Sequence, residues 1–502
     1  MTISTLSNLK ENLVPFRAFK ARSTIAWCNE SNDEQAKIIA ECSYLIDTEE
    51  NESDSKIFYA ERYGGSGISY HGGGARCGFD GKYHIKGIGP NPLLGRDVDR
   101  FHSSGSLSFE DAIYETLWGE ILHRALPCGA VRSRAILLTD KVFKNNFGHD
   151  EKTARRALLV RSPEIRPAHF ERAIFFRKQY IYNNLIGSDI DRVKSVIKIF
   201  PSTITGKTID SAGNVEDIYM NRLLDLATSL AHQMSYCRAN YLMLSTSPSN
   251  VTVSGKLMDF NGVFSLWPSY TNKHSEHQLR LKSFIDEPSV ILEGIKNIAF
   301  YASKYLFDRD FFNTATVLIA NRFNHEFELR WIVEKMSFLG VFFDTKNHEV
   351  ILKFREISHI IDIIHRRSYF TNPTPRNDSL RKILGIISQQ ILQDDDSNLA
   401  SISHCIVDEG LALALISTLV ATKPIVRQYV EEGEIKVKGR EMAYLNMCAI
   451  DRSDFSKKEI MKEIYELTQV EFKSPLEVQE ALKYYLQQKT TAAKNVFRKA
   501  SF

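Results

Sequence analysis

An amide and a carboxylate, Asn250 and Asp259, lie nine residues apart around two short apolar runs. The runs, 251–253 and 256–260, are separated by Ser254-Gly255, a pair typical of a two-residue hairpin turn. Counting outward from that turn pairs Asn250 with Asp259, and directly opposed residues lie about 4.5–5.5 Å apart. Oxygen ligands at this separation suit Mg²⁺, which keeps water and phosphate oxygens as its other ligands. The stretch therefore predicts a magnesium site; the alternative is a hairpin that simply ends in polar residues.

A glycine-rich stretch lies far upstream, with eight glycines in residues 64–81. Backbone without side chains lets N–H groups approach phosphate oxygens, and the alternative is a flexible loop without a ligand. Asp80-Gly81 predicts a hairpin turn, and the strand after it places Lys82, His84 and Lys86 on one face. A lysine that follows a glycine-rich hairpin occupies the place where kinase folds hold nucleotide phosphates.

Regular elements must position these groups. Residues 109–126 have helical spacing after the candidate caps Ser106 and Ser108, and the acids Glu115 and Glu120 of this helix could each reach back to Lys86. Further elements are predicted from periodicity: strands at 135–139 and 157–160, a long amphipathic helix at 215–235, and mostly helices over 290–502 with breaks at 371–377 and 394–398.

Composition excludes several classes of protein. The chain has 502 residues, 43% of them hydrophobic, and a formal net charge of +3, which fits two or three globular domains. No cluster of Lys and Arg interleaved with aromatics indicates a nucleic-acid groove. Residues 1–16 lack the apolar core of a secretion signal, and the longest apolar run, 411–421, is too short to span a bilayer. Seven cysteines without CxxC spacing fit free thiols, so we expect a cytoplasmic protein without a membrane span.

The order glycine loop, strand lysine, helix glutamate, then asparagine and aspartate follows that of a protein kinase, yet no His-Arg-Asp catalytic loop occurs. This combination resembles the SelO family of pseudokinases, which bind ATP in a flipped orientation and transfer AMP. The resemblance covers residues 56–290 and is carried by five strings: Gly73-Gly74-Ala75-Arg76, Ile85-Lys86-Gly87-Ile88-Gly89, Tyr114-Glu115, Arg166-Pro167-Ala168-His169-Phe170-Glu171, and Asn250 with Asp259-Phe260.

The resemblance implies an α+β, protein-kinase-like (SelO-like) two-lobed fold with a mostly helical C-terminal extension. The implied divisions are an N-terminal segment 1–55, an N-lobe 56–165 with the glycine-rich loop, a C-lobe 166–290 with the metal-binding hairpin, and a helical region 291–502. ATP and Mg²⁺ are the implied cofactors.

The resemblance also assigns roles to single residues. Lys86 would contact phosphate and be held by Glu115, and Asn250 and Asp259 would bind magnesium. The remaining nucleotide contacts are implied for the phosphate-clamping Arg161 and Arg166, for the pocket residues Gly73, Ala75 and Arg76, and for Asp99, which matches a family acid beyond the lysine.

The chain departs from the family in three places. The family's Gly-Asp-Gly-Arg loop is Gly-Gly-Ala-Arg here, two residues are missing between Arg161 and Arg166, and Ser249 stands where the family has an acid before the metal-binding asparagine. The whole chain is also similar to proteins of the MchC/MceJ type, which mature siderophore microcins. That similarity implies activation of the C-terminal carboxylate of a microcin precursor peptide for attachment to a glucosylated siderophore, with a partner resembling toxin-activating acyltransferases. The alternatives are AMPylation of Ser, Thr or Tyr hydroxyls on a protein acceptor, and a catalytically silent pseudokinase scaffold.

Overall fold

The protein has a mixed α+β fold with one large antiparallel sheet. The structure is a computed structural model. It describes residues 6–47, 54–66, 68, 70–98, 104–145, 152–204, 214–244, 247–266, 274–370, 377–391, 399–406, 408–438, 452–470 and 474–499.

Eight strands form the sheet in the order β2-β7-β8-β6-β5-β4-β1-β3, and every neighbouring pair is antiparallel. Their bounds are β1 Leu13–Lys20, β2 Ser23–Cys28, β3 Tyr44–Leu45, β4 Ser55–Glu61, β5 Cys77–Phe79, β6 His84–Lys86, β7 Ser133–Asn145 and β8 Lys152–Arg161. The strands of residues 13–45 therefore lie in the same sheet as those of 55–161, across the division expected at residue 55. Four short strands form two separate pairs: β9 Leu242–Met243 with β10 Phe264–Ser265, and β11 Val341–Phe343 with β12 Ile435–Val437.

Helices cover both faces of the sheet. On one face α1, Asn32–Cys42, buries Ile38 and Cys42 in a core with strand residues such as Ile85. On the other face α2, Phe109–Ala125, packs against β7 and β8. Almost all of α2 is buried, because the helices of the second half of the chain cover the side that faces away from the sheet.

The second half is mostly helical, as predicted. Its main body is built from three long helices that pack on one another: α5 Val215–Ala239, α6 His274–Tyr305 and α7 Arg309–Phe338. The remaining helices are α3 Asp189–Val196, α4 Phe200–Thr203, α8 His348–Leu352, α9 Arg355–Phe370, α10 Asn377–Gln390, α11 Ala400–Ser403, α12 Glu409–Glu431, α13 Lys457–Thr468 and α14 Pro475–Val496. The predicted breaks at 371–377 and 394–398 lie almost wholly outside the described residues.

Two cores divide these helices. One joins α2 to α5, to parts of α6 and α7, and to α13 and α14. The other lies between the C-terminal part of α7 and helices α8 to α12. The last two helices thus return to the sheet end of the molecule, where α14 packs on β2 and α2.

Helix α12 is apolar. Among the described residues it is the one helix that meets the length and composition of a membrane span. Four of its side chains, Leu415, Leu419, Val426 and Tyr429, are nevertheless buried against protein in the C-terminal core.

The predicted elements nearest the site are confirmed. The helix expected at 109–126 is α2, the strands expected at 135–139 and 157–160 are parts of β7 and β8, and the helix expected at 215–235 is α5. Ser108 caps α2, since its Oγ accepts a hydrogen bond from the Asp111 N–H at 3.0 Å.

Candidate functional site

Four of the predicted site residues form one contact cluster on the face of the sheet that α2 covers. Lys86 Nζ lies 2.6 Å from Glu115 Oε2 and 2.8 Å from Asp259 Oδ1. Arg161 Nη1 lies 3.1 Å from Glu115 Oε1 and 2.9 Å from Asp259 Oδ1. Each cation therefore contacts both carboxylates, although Lys86 and Asp259 are far apart in the sequence.

Arg166 joins the cluster from the other side of Asp259. Its Nη1 lies 3.2 Å from Asp259 Oδ2 and donates to the Ser249 carbonyl at 2.6 Å. The guanidinium carbon lies 4.9 Å from the centre of the Tyr63 ring, a cation–π contact. Arg166 is thus held in one position by a carboxylate, a carbonyl and an aromatic face.

Strand register places Lys86 and Arg161 together. β6 pairs with β8 so that His84 lies opposite Arg161. Directly opposed side chains share a face of the sheet, and so do residues two apart on one strand, so His84, Lys86 and Arg161 all point to the same side. This face is the one that α2 covers with Glu115.

Helix α2 is also joined directly to the segment that carries Asp259. Tyr114 OH donates to the Val263 carbonyl at 2.7 Å, and Gly119 lies against the Phe260 ring. A Cβ on Gly119 would be 3.4 Å from that ring. These two contacts fix the position of Glu115 relative to Asp259.

The backbone at Asp259 is left-handed, with φ +63° and ψ +74°. Aspartate tolerates this conformation better than most residues, but it still costs roughly 1 kcal/mol. Left-handed non-glycine residues are concentrated at functional sites, where the surrounding structure enforces them. Here the conformation turns the carboxylate toward the three cations.

The electrostatic setting keeps Asp259 ionised. Partial burial acts to raise the pKa of Asp259, but Arg161, Lys86 and Arg166 together hold it well below its usual range. The Asp259 carboxylate raises the pKa of Arg161 against the opposing effect of burial. About a fifth of the Asp259 side chain, 19%, remains exposed, so the carboxylate is accessible from one side.

The predicted hairpin register is wrong by one residue. The segment does reverse direction, but Val251 bridges to Leu257, and the Met258 N–H donates to the Asn250 carbonyl. The cause is a wider turn, because the Thr252 N–H donates to the Lys256 carbonyl and Lys256 N–H donates back to Thr252 Oγ1. Three residues rather than two form the turn, so Ser249 and not Asn250 lies opposite Asp259.

Asn250 and Asp259 nevertheless line the same small, mostly apolar cavity. Asn250 Oδ1 accepts a hydrogen bond from Ser249 Oγ at 3.3 Å, and Ser249 Oγ lies 2.5 Å from Ser247 Oγ. An amide oxygen and a partly exposed carboxylate are hard donors of the kind that Mg²⁺ prefers. The two residues therefore fit a magnesium ion that takes its other ligands from phosphate and water. No group of three or more His, Cys, Asp or Glu that could hold a metal is found among the described residues.

The glycine-rich stretch folds back on the end of β4. Gly73 has φ +144°, and a Cβ there would lie 2.0 Å from the Glu61 carbonyl, so only glycine fits. The Gly74 N–H donates to that same carbonyl, and the Ala75 N–H donates to the Gly73 carbonyl. The Ala75 N–H is thus already engaged within the stretch.

Arg76 and Asp99 complete the predicted set. Arg76 is half-buried, and among the described residues its guanidinium makes no hydrogen bond or ion pair. Arg76 directly precedes Cys77, which lies opposite Lys86 in the sheet. Asp99 lies outside the described residues.

Glu120, the other acid considered as a partner of Lys86, instead forms a two-point contact with Arg132.

Three buried residues near the cluster had no predicted role: Glu61, His84 and His169. Glu61 Oε1 lies 3.0 Å from His84 Nε2, and Glu61 Oε2 lies 3.4 Å from His169 Nε2. The alternation of Lys82, His84 and Lys86 identified the correct face for His84. Nothing in the sequence singled out Glu61, because its partners lie on β6 and after β8.

Comparison of the chain with protein-family models and with curated proteins finds no match.

Proposed function

We propose that this protein is an ATP- and Mg²⁺-dependent adenylyltransferase with a kinase-like, SelO-like architecture. The observation that carries the proposal is the contact cluster of Lys86, Glu115, Arg161, Arg166 and Asp259. It joins residues from four separate stretches of the chain, three of them cationic, around one partly exposed carboxylate. Such an arrangement is suited to a polyanion that arrives together with a metal ion.

Each of the two arginines has a nitrogen that donates no hydrogen bond among the described residues. Arg161 Nη2 is buried and has no hydrogen-bond partner in the part of the chain that the structure describes, and Arg166 Nε, also without a hydrogen bond there, has only the distant Glu61 carboxylate at 4.0 Å. A buried, unpaired donor costs about 1–3 kcal/mol, which a phosphate oxygen would recover. Binding of ATP would then exchange partners: phosphate oxygens would take Lys86, Arg161 and Arg166, and Asp259 would be released to hold Mg²⁺ with Asn250.

The chemical step follows from this placement. An oxygen of the acceptor attacks the α-phosphorus, the new P–O bond forms, and the bond to the β-phosphate oxygen breaks with pyrophosphate as the leaving group. Negative charge builds on pyrophosphate in this step, and fixed cations stabilise it without reorganisation. When bound, Mg²⁺ would neutralise part of the same charge.

We further propose that the acceptor is a carboxylate, such as the C-terminus of a microcin precursor peptide destined for a glucosylated siderophore. Ser249 replaces the acid that a hydroxyl acceptor would use as a base, and a base contributes about 10²–10⁴ in rate. A peptide C-terminus, with a reference pKa of about 3.3–3.7, is already ionised at neutral pH and needs no base. A partner resembling toxin-activating acyltransferases and a cytoplasmic location belong to the same proposal.

The test of adenylate formation is exchange of labelled pyrophosphate into ATP, with and without an acceptor peptide. Exchange that depends on a free peptide C-terminus supports the proposal, and the amidated peptide is the matched control. Hydroxylamine then distinguishes the acceptors, because it converts an acyl-adenylate to a hydroxamate but leaves a phosphodiester-linked AMP intact. An adduct on Ser, Thr or Tyr that resists hydroxylamine would replace the carboxylate acceptor with a hydroxyl.

A second candidate, the catalytically silent scaffold, is favoured by one observation. Both oxygens of Asp259 are already engaged by cations, and the cavity that it shares with Asn250 is small and mostly apolar. A scaffold would keep these ion pairs as structural links and would neither bind MgATP nor catalyse exchange. Calorimetric titration with MgATP separates the two candidates.

A further inference from the structure

A buried carboxylate lies behind the two arginines of the cluster. Glu61, the last residue of β4, is only 1% exposed. Three nitrogens surround it: His84 Nε2 at 3.0 Å, His169 Nε2 at 3.4 Å and Arg166 Nε at 4.0 Å. Neither carboxylate oxygen has a well-aligned hydrogen bond among the described residues, so these contacts are mainly electrostatic.

Each imidazole accepts a hydrogen bond at Nδ1, the nitrogen that faces away from Glu61, and this bond determines which nitrogen carries the ring proton. Arg161 Nε donates to His84 Nδ1 at 3.0 Å, and the Arg166 backbone N–H donates to His169 Nδ1 at 2.9 Å. Both Nδ1 atoms must therefore carry a lone pair, and both ring protons lie on Nε2, which faces Glu61. Each histidine thus links the carboxylate to one of the two arginine residues.

The protonation of His84 follows from the same contacts. Burial lowers the pKa of His84, and the adjacent Glu61 raises it, with the carboxylate prevailing. A raised pKa by itself favours the charged ring, but a second ring proton would have to occupy Nδ1, where it would oppose the N–H that Arg161 donates. The hydrogen bond therefore decides, and the neutral imidazole is the form that fits. Burial lowers the pKa of His169 and keeps that ring neutral too.

Glu61 also balances the charge of the site. Burial alone would raise its pKa, but His84, His169 and Arg166 hold the pKa of Glu61 well below its usual range, so it is ionised. With Glu61 included, three carboxylates face three cations: Glu61, Glu115 and Asp259 against Lys86, Arg161 and Arg166. Without Glu61 the buried cluster would carry one uncompensated positive charge.

We propose that Glu61 is a positioning residue of this site, which fixes Arg161 through His84 and the Arg166 turn through His169. Glu61 touches neither Lys86 nor Asp259 and acts only through its two imidazole contacts and its charge. The effect on ATP rests on the proposed function, because it requires that the two arginines bind phosphate. The tautomers of the two histidines do not depend on that function.

The Glu61→Gln variant distinguishes these roles from simple filling of space. An amide offers one acceptor oxygen and one donor NH₂ in place of two acceptors. The NH₂ must face the Nε2–H of one histidine, and two donors cannot bond to each other. The imidazole of that histidine then has to move its proton from Nε2 to Nδ1. There the proton points at the arginine N–H that donates to Nδ1 in the wild type. Glu61→Gln therefore disturbs one arginine segment even though the side chain keeps its size. Glu61→Asp keeps the charge and both acceptors.

The first measurement needs no variant. Nitrogen-15 NMR of wild-type protein labelled at histidine, assigned with His84→Gln and His169→Gln, reports the tautomer of each ring. We expect both rings to be neutral Nε2–H tautomers without added ATP. A protonated Nδ1 in either ring of the wild type would overturn it, as would unchanged tautomers in Glu61→Gln.

The second measurement is MgATP affinity by calorimetry, with folding monitored by circular dichroism. We expect Glu61→Gln to weaken ATP binding at least tenfold, or about 1.4 kcal/mol, and Glu61→Asp to recover part of the loss. The matched control is Glu120→Gln, which breaks the Arg132 pair outside the cluster and should leave affinity unchanged. Equal affinity in wild type and Glu61→Gln would overturn the proposal. If the tautomers are as stated but the wild type binds no ATP, the positioning role of Glu61 is supported and the proposed function fails.

Discussion

Replacing Asp259 by asparagine removes one negative charge from the centre of the cluster while keeping the shape of the side chain. The wild-type carboxylate contacts Lys86 at 2.8 Å, Arg161 at 2.9 Å and Arg166 at 3.2 Å. Removing one partner of a buried ion pair typically costs about 3–5 kcal/mol, because the other charge is left uncompensated. The carboxylate is partly exposed and water screens the remaining cations, so we expect the lower end, about 3 kcal/mol of unfolding free energy.

The pH dependence of this loss has a definite sign. The pKa of Asp259 is lower in the folded protein than in the unfolded chain, so its ionisation stabilises the fold above about pH 4. That contribution begins to fall below about pH 4, where Asp259 of the unfolded chain takes up a proton, and it is lost completely only as the pH passes through the lower pKa of the folded protein. The stability difference between wild type and Asp259→Asn should therefore be full at pH 7 and shrink under acid conditions.

Urea unfolding of both proteins at pH 7 and at pH 3.5 measures the difference. The matched control is Asp308→Asn: Asp308 caps α7 by accepting from the Phe311 N–H, and asparagine caps a helix equally well. That variant should change stability by less than about 0.5 kcal/mol. A loss below about 1 kcal/mol for Asp259→Asn at pH 7, or a difference that grows toward acid, would refute the electrostatic reasoning.

Three further predictions follow from other contacts. Arg166→Ala should weaken ATP binding by about 1.5–3 kcal/mol, measured by calorimetry, and normal affinity would contradict its assignment as a phosphate contact. Burial raises the pKa of Glu171 to about 7, although Asn297 donates to its Oε2. Wild-type stability should therefore fall by about 3 kcal/mol as the pH rises from 4.5 to 7. Urea unfolding of Glu171→Gln should lack this component, and an unchanged slope of stability against pH in the variant would refute it. Lys457→Ala should lower the rate of adenylyl transfer at unchanged ATP affinity, because the Lys457 ammonium donates to the carbonyl of Asn261, two residues after Asp259. Equal rates of transfer by wild type and Lys457→Ala would argue against a role of this hydrogen bond.

The parts of the site that could be predicted are those defined by local pattern. The spacing of the apolar residues in α2 and the turn at Asp80-Gly81 located the helix and the strand, and they placed Glu115 within reach of Lys86. Arg161 and Arg166, which contact Asp259, were included in the predicted site because of the resemblance and not because of a local pattern.

The parts that sequence reasoning missed depend on long-range packing or on small backbone differences. Strand β1 buries Val14, Phe16 and Ala18 in alternation, but Pro15 and Arg17 between them obscure the signal. The hairpin register depends on whether two or three residues form the turn, and the backbone bonds at Thr252 and Lys256 decide that.

The roles of the two buried histidines were beyond sequence reasoning for a different reason. His84 and His169 acquire theirs from Glu61, which lies on another strand of the sheet. Composition and periodicity report which side chains are buried, but they do not report which of the buried polar groups meet.

The fate of two labels tests adenylyl transfer by this protein most directly. The protein is incubated with an acceptor peptide and with ATP labelled either at the α-phosphate or at the γ-phosphate, and the label on peptide and in pyrophosphate is counted. We expect the α-label to be transferred to the acceptor, the γ-label to leave as pyrophosphate, and Asp259→Asn to lose both. Transfer of the γ-label, or equal α-label transfer by wild type and Asp259→Asn, would contradict it.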